Sequence, residues 1–314
     1  MAREFRVGTR GSRLARAQTD IILERLRRAQ PAAAFRVVEI KTEGDRRSQA
    51  PLLPLAGRGI FVKELEQALR EGRIDLAVHS LKDLPSAVSP DLCLAAIGAR
   101  EDPRDALVSR ERRRLSELAP GARLGTSSPR RVAQLRAFRP DLDLLPIRGN
   151  VDSRVRKVSE GGPSAGSVQA LDGIVLALAG LKRLGLEGQA AEVIPTEVCL
   201  PAVGQGALAI ETRADDSETI ALARLCDHEP TRWATAAERA FLHALGGGCQ
   251  TPIAAYGRLN GQTLALDGLV AAPDGSRLLR ERVSGAAQDA ESLGQELARR
   301  MFGLGARELI ATYG

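Results

Sequence analysis

Between residue 5 and about residue 210, the spacing of apolar positions switches repeatedly between period two and period 3.6. Runs at 5–9, 35–42, 74–79, 123–125, 142–147 and 173–178 predict strands. Residues 12–30 predict an amphipathic helix with Leu14, Ala17, Ile21, Ile22 and Leu26 on one face, and 61–71 a second. Further helices fall between the later strands. This alternation predicts an α/β architecture. Beyond about residue 229 the pattern changes to a helix over 231–245, apolar runs, and a closing helix over 288–301. Asn260-Gly261 and Asp274-Gly275 punctuate those runs as tight hairpins do, which predicts a small α+β domain with an antiparallel sheet. Two polar stretches interrupt the periodicity, 43–59 as a candidate flap and 159–170 (SEGGPSAGSVQA) as a candidate surface insertion.

Composition narrows the function classes. A length of 314 residues suggests two or three domains, and 44% hydrophobic residues suffice for packed cores. No apolar run approaches the roughly 20 residues of a membrane span, and the first residues carry no apolar leader, so a cytoplasmic protein without membrane partners is expected. Cysteines stand at 93, 199, 226 and 249 with no CxxC pair, and there are three histidines, so no metal site is expected. The net charge is +6; of 45 basic residues five are lysine and the rest arginine. Guanidinium forks pair with carboxylates and phosphates. Aromatic residues amount to 3%, few for stacking nucleobases, and there is no basic tail, so a small anionic substrate fits better than nucleic acid.

Several segments point to anion chemistry. Gly8-Thr9-Arg10-Gly11-Ser12 and Gly125-Thr126-Ser127-Ser128-Pro129-Arg130-Arg131 each follow a strand and open a helix, with Ser or Thr at the helix N-terminus and Arg beside it. Helix N-terminal amides attract anions, although two ordinary N-caps read the same way. The pair hints at two similar lobes facing one anion-binding cleft. The strand at 74–79 runs into Ser80-Leu81-Lys82-Asp83, where a carboxylate sits beside a cation at the strand end that binds ligands in open α/β sheets. His79 reads as a core, hydrogen-bonded histidine rather than a base. Arg148 and Arg154 follow the strand at 142–147, and Lys182-Arg183 that at 173–178. Arginine at strand end after strand end suits a polycarboxylate ligand. Cys249 closes the glycine run of LGGGCQTP (245–252), which fits either a thiol cleared for a large group or a helix C-cap with an incidental small cysteine.

Longer motifs carry a resemblance. GTRGSRLARAQ (8–18), KTEGD (41–45), GRGIFVKELE (57–66), DLAVHSLKDLP (75–85), LGTSSPRR (124–131), IRGNVDSR (147–154), LAGLKRLGL (178–186), PAVGQGALAIE (201–211) and LGGGCQTPIAAYG (245–257) resemble, in family order, the porphobilinogen deaminase (hydroxymethylbilane synthase) family. The resemblance implies three domains: 1–98 with 207–224 as the catalytic lobe, 104–200 as the second lobe, and 229–314 as the cofactor-attachment domain. The first two would resemble the lobes of periplasmic binding proteins. It implies a monomer that condenses porphobilinogen head to tail with loss of ammonia, on a dipyrromethane cofactor held by Cys249 through a thioether. Asp83 matches the catalytic carboxylate, where it would stabilise positive charge near a pyrrole N–H and relay protons. Cys249, Asp83, Lys82, Ser128, Arg130 and Arg131 match cofactor-binding positions. Arg10, Ser12, Arg148, Arg154, Arg183, Phe61 and Gln205 match substrate-binding positions. This chain departs from the pattern at Arg58, where relatives carry a flap lysine, at Gly11 and Arg13, and in the length of 159–170.

Other classes make distinct demands. A two-lobed anion binder without chemistry leaves Asp83 and Cys249 without a task. A thiol acyl transferase needs a histidine at Cys249, and the sequence offers His243, six residues upstream on a helix.

Overall fold

The computed structural model describes residues 3–42, 62–160, 170–247 and 251–311. The chain opens with β1 (Glu4–Thr9), α1 (Arg13–Ala29), β2 (Ala34–Glu39), α2 (Lys63–Arg70), β3 (Leu76–Ser80) and β4 (Leu92–Ile97). Then come β5 (Asp105–Ser109), β6 (Arg123–Gly125), α3 (Pro129–Phe138), β7 (Asp143–Leu145), α4 (Val151–Ser159), β8 (Gly173–Ala177), α5 (Leu178–Arg183) and β9 (Glu192–Val193). It closes with β10 (Leu208–Arg213), α6 (Ser217–Arg224), α7 (Glu229–Ala244), β11 (Ile253–Asn260), β12 (Thr263–Ala271), β13 (Leu278–Ala286), α8 (Ala290–Gly303) and α9 (Ala306–Ala311).

Contacts divide the described chain into two compact units, one within 1–101 and 207–232, the other within 102–206 and 233–314. The first holds a five-stranded sheet in the order β2-β1-β3-β10-β4. The second holds a sheet of order β7-β6-β8-β5-β9 and a three-stranded sheet, β11-β12-β13. The two five-stranded sheets follow one plan. Three parallel strands (β2, β1, β3 or β7, β6, β8) are followed by one antiparallel strand, β10 or β5, and an edge strand antiparallel to it. The equivalence of the Thr9–Ser12 and Thr126–Ser128 turns suspected from the sequence is thus topological: each links the central parallel strand to the helix that follows it.

The architecture is α/β as the alternation predicts, but β4, β5, β9 and β10 escape that reading. β5 and β10 are central strands buried on both faces, so neither shows period-two alternation. Each also carries a buried charge, Asp105 in β5 and Glu211 in β10, which disguises it as surface. The buried face of α1 differs in detail too, being formed by Gln18, Thr19, Ile22, Leu23 and Leu26. Leu14 and Ala17 give way to polar residues because the N-terminal half of α1 lies over strand ends rich in hydroxyls. Gln18 Nε2 donates to Ser80 Oγ at 2.9 Å, and the hydroxyls of Thr19 and Thr9 are 2.8 Å apart.

The third sheet is an antiparallel meander, turning at Gly261 (φ 58°) and Gly275 (φ 76°), the two hairpin signals of the sequence. Phe241 of α7, Leu264 and Leu266 of β12, and Leu297 and Met301 of α8 form its core, joined by Val203 from the segment preceding β10. A smaller cluster of Ala133, Leu200, Ala254, Leu269 and Ala271 packs α3 against β11 and β12. The divisions expected at 104–200 and 229–314 therefore share one compact unit while keeping separate sheets.

Close approach of α7 to β11 depends on Gly257, where a Cβ would meet the carbonyl oxygen of Ala234 at 2.7 Å and its Cα at 3.0 Å. Backbone atoms cannot rotate away as a side chain does. Gly257→Ala is expected to destabilise the protein by about 1–3 kcal/mol, read as a lower thermal melting midpoint. An unchanged midpoint would contradict this packing.

Candidate anion-binding and catalytic site

In the first unit, the carboxyl ends of β1 and β3 form one edge with the N-terminus of α1. Ser12 caps α1, its Oγ accepting from Ala15 N at 3.2 Å, with Arg10 half-buried beside it. The Gln18–Ser80 and Thr19–Thr9 hydrogen bonds pin this helix end to both strands. Beyond Ser80 the chain makes a 3-10 turn over Leu81–Asp83. Buried Leu81 and Leu84 anchor it on either side, leaving Lys82 half-buried and Asp83 exposed at the strand edge. His79 is buried, its Nε2 3.0 Å from the buried Glu211 Oε2, but the two atoms do not meet in hydrogen-bond geometry, so the core placement holds and the hydrogen bond does not. At Gly11 the nearest neighbour is the exposed carboxylate of Glu39, paired with Arg16, which can swing aside, so this contact does not itself require glycine.

The second unit repeats this edge with more charge. Ser128 caps α3 and Pro129 occupies its first turn. Ser127 Oγ bridges the backbone of Ile147, donating to its carbonyl (2.8 Å) and accepting from its amide (3.0 Å). That bond ties the α3 entry to the strand end before Arg148. Arg154 Nε donates to Gly149 O at 2.7 Å and Arg183 Nη2 to Gly206 O at 2.5 Å.

The sequence gives no sign of what lies beneath. Asp105 is completely buried and accepts from Arg130 Nη2 (2.8 Å), Arg131 Nη2 (2.6 Å), Gln205 Nε2 (2.8 Å) and the Cys199 thiol (3.4 Å). Arg130 Nη1 also donates to Leu200 O (2.6 Å), and Arg131 Nη1 to Val175 O (3.0 Å). Burial alone would raise the Asp105 pKa, but the two guanidiniums outweigh it and hold the carboxyl well below the usual range. Burial and Asp105 together push the Cys199 thiol up to about 12, which leaves it inert. Arg130, Arg131 and Gln205, expected to hold ligand, are thus engaged first with an internal carboxylate, and both arginines are buried. The Nε atoms of Arg130 and Arg131 are nevertheless buried without a hydrogen-bond partner among the described residues. Arg154 has no carboxylate partner among them either; burial and neighbouring Arg131 push its pKa down to about 10. Around Arg130, Arg131 and Arg154, desolvated positive charge therefore exceeds what the described residues neutralise.

Cys249 and Phe61 lie outside the described residues, as do 43–59 and most of 159–170. The glycines that lead to Cys249 have structural tasks. Gly246 (φ 67°) ends α7, with Gly247 N donating back to Leu242 O at 3.2 Å, a Schellman-type closure. A Cβ on Gly247 would stand 2.3 Å from Ile253 Cδ1. The helix-cap reading therefore accounts for these two glycines.

Residues 5–221 match the porphobilinogen deaminase, dipyromethane cofactor binding domain, and residues 233–303 match the porphobilinogen deaminase C-terminal domain. The chain belongs to the porphobilinogen deaminase family. It is 50% identical over 311 residues to the porphobilinogen deaminase of Desulforudis audaxviator, covering 99% of this chain and 98% of that one. It is 49% identical to that of a Roseiflexus species, covering 97% and 98%. Among solved structures, the methionine-binding protein MetQ aligns over 70% of this chain and 88% of its own, at 12% identity and a TM-score of 0.43. Both edges described above fall within the matched deaminase domain, as does Asp105. No helix among the described residues is long and apolar enough to cross a membrane.

A base whose folded pKa is depressed opposes folding wherever it is charged, here at every pH below about 10. Arg154→Met is expected to raise the melting midpoint of the ligand-free protein and to weaken its stabilisation by sulfate. A lower midpoint with undiminished sulfate stabilisation would show that Arg154 already has its counter-charge.

Proposed function

We propose that this chain condenses four porphobilinogens head to tail with release of ammonia, on a dipyrromethane primer carried by Cys249, and then frees hydroxymethylbilane by hydrolysis. The observation that carries the reading is the second sheet's strand edge, where Arg154 meets no carboxylate among the described residues and the buried Nε atoms of Arg130 and Arg131 keep no partner among them. The residues fit a ligand rich in acetate and propionate groups. Two buried Nε donors lack partners, and Arg154 lacks a carboxylate, among the described residues.

When bound, the dipyrromethane supplies the pyrrole carbon nucleophile to which substrate is added. Arg130, Arg131, Arg154 and the Ser128 cap neutralise and orient carboxylates, with Arg148 and Arg183 in the same role. Arg10 and Ser12 do so at the first unit, where Lys82 adds a point charge. Asp83, exposed yet anchored by Leu81 and Leu84, accepts the pyrrole N–H, stabilises the positive charge that develops as ammonia leaves, and moves protons between leaving amine and ring. Phe61 matches an aromatic position beside the pyrrole ring. Gln205 acts chiefly through Asp105. The three-domain division and a monomeric, cytoplasmic enzyme without nucleic-acid partners belong to the same reading.

Intact mass tests the anchor. Active protein should weigh more than its sequence by one dipyrromethane, and Cys249→Ser should lose both that mass and turnover; unmodified protein with full activity would overturn the reading. Asp83→Asn should retain the fold while turnover falls roughly 10²–10⁴-fold, the usual weight of a general acid–base group. Near wild-type turnover would remove Asp83 from the chemistry.

A further inference from the structure

β5 runs antiparallel to β8, and its first residue, Asp105, pairs with Ala177, the last residue of β8. Asp105 therefore stands at the carboxyl edge of the parallel strands, beside the N-terminus of α3, rather than in the middle of the core. Its single negative charge faces two guanidiniums, Arg130 and Arg131, and Arg131 in turn neighbours Arg154. Around Asp105 itself, positive charge thus exceeds negative among the described residues. Gln205 and Cys199 complete the shell of Asp105 with neutral donors. Gln134, next in line, bonds Leu200 through both its amide atoms and adds no charge.

We propose that Asp105 is a positioning residue for ligand binding: it permits two arginines to be buried side by side and offsets part of their charge, leaving the remainder to a carboxylate-bearing ligand. This rests on the functional reading above. Without Asp105 the two or three neighbouring cations repel one another in a poorly solvated site, where removing one partner of a buried ion pair is strongly unfavourable. The carboxylates of a bound ligand act on the same cations. The stabilisation that ligand brings to the protein must therefore grow when Asp105 loses its charge and shrink when a cation is removed.

The test compares melting midpoints of cofactor-loaded protein and of cofactor-free Cys249→Ser protein, with loading verified by mass, so that failure to load reports on the functional reading and not on Asp105. The loaded-minus-free difference is measured in otherwise wild-type protein, Asp105→Asn, Arg131→Met, and the Asp105→Asn/Arg131→Met double variant. Asp105→Asn is expected to widen the difference by about 4 °C or more, chiefly by lowering the cofactor-free midpoint. Arg131→Met narrows it, and adding Asp105→Asn to Arg131→Met widens it again. The latter pair has fewer unbalanced cations and answers the question if Asp105→Asn alone does not fold. Equal losses in loaded and free protein, in either pair, would overturn the proposal and leave Asp105 an ordinary core ion-pair residue.

Discussion

A buried carboxylate, that of Asp105, is the interaction around which the second unit is assembled. Charges removed from water must be paired and hydrogen-bonded, and here one anion orders groups from three parts of the chain. Two arginines come from the first turn of α3, a thiol and an amide from 199–205, and Asp105 itself from the start of β5. The 199–205 segment is then fixed from its other side. Gly204 N donates to Glu238 Oε2 at 2.7 Å, and Glu238 Oε1 accepts from Gly257 N at 2.8 Å. Leu200 packs with Ala254 and Leu269. The ion cluster and the α7–β11 contact thus hold one strip of backbone between them, which is why the second lobe and the C-terminal sheet form a single unit.

The two five-stranded sheets share a topology but divide the chemistry. Each carries a serine-capped helix after its central parallel strand, Ser12 in one and Ser128 in the other. Their third parallel strands end differently. β3 runs into a 3-10 turn bearing Lys82 and Asp83, whereas β8 runs into α5 bearing Lys182 and Arg183. The first edge exposes a carboxylate, Asp83, whereas the carboxylate of the second, Asp105, is buried under two arginines.

Much of this was legible in the sequence because it is local. Helix caps at Ser12 and Ser128, hairpins at Gly261 and Gly275, and the strand running into Lys82-Asp83 follow from residue type and spacing alone. What was not legible depends on partners distant in sequence. Asp105 sits in a charged run that reads as surface and becomes core only because Arg130, Arg131 and Gln205 reach it. β10 pairs with β3 from more than a hundred residues away, so no local pattern marks it as an interior strand of the first sheet. Gln18 and Thr19 break the apolar stripe of α1 because hydroxyls lie beneath them. Residue type marks the arginines as carboxylate binders, and the carboxylate that Arg130 and Arg131 meet in the structure is the protein's own Asp105.

Stoichiometry under turnover bears most directly on the proposed chemistry. Holoprotein incubated with porphobilinogen should release four ammonia molecules for each linear tetrapyrrole formed, while the dipyrromethane stays on the protein at unchanged mass. Ammonia released without tetrapyrrole, or loss of the dipyrromethane into the product, would contradict the account of Cys249 as a permanent anchor and Asp83 as the group that acts at every addition.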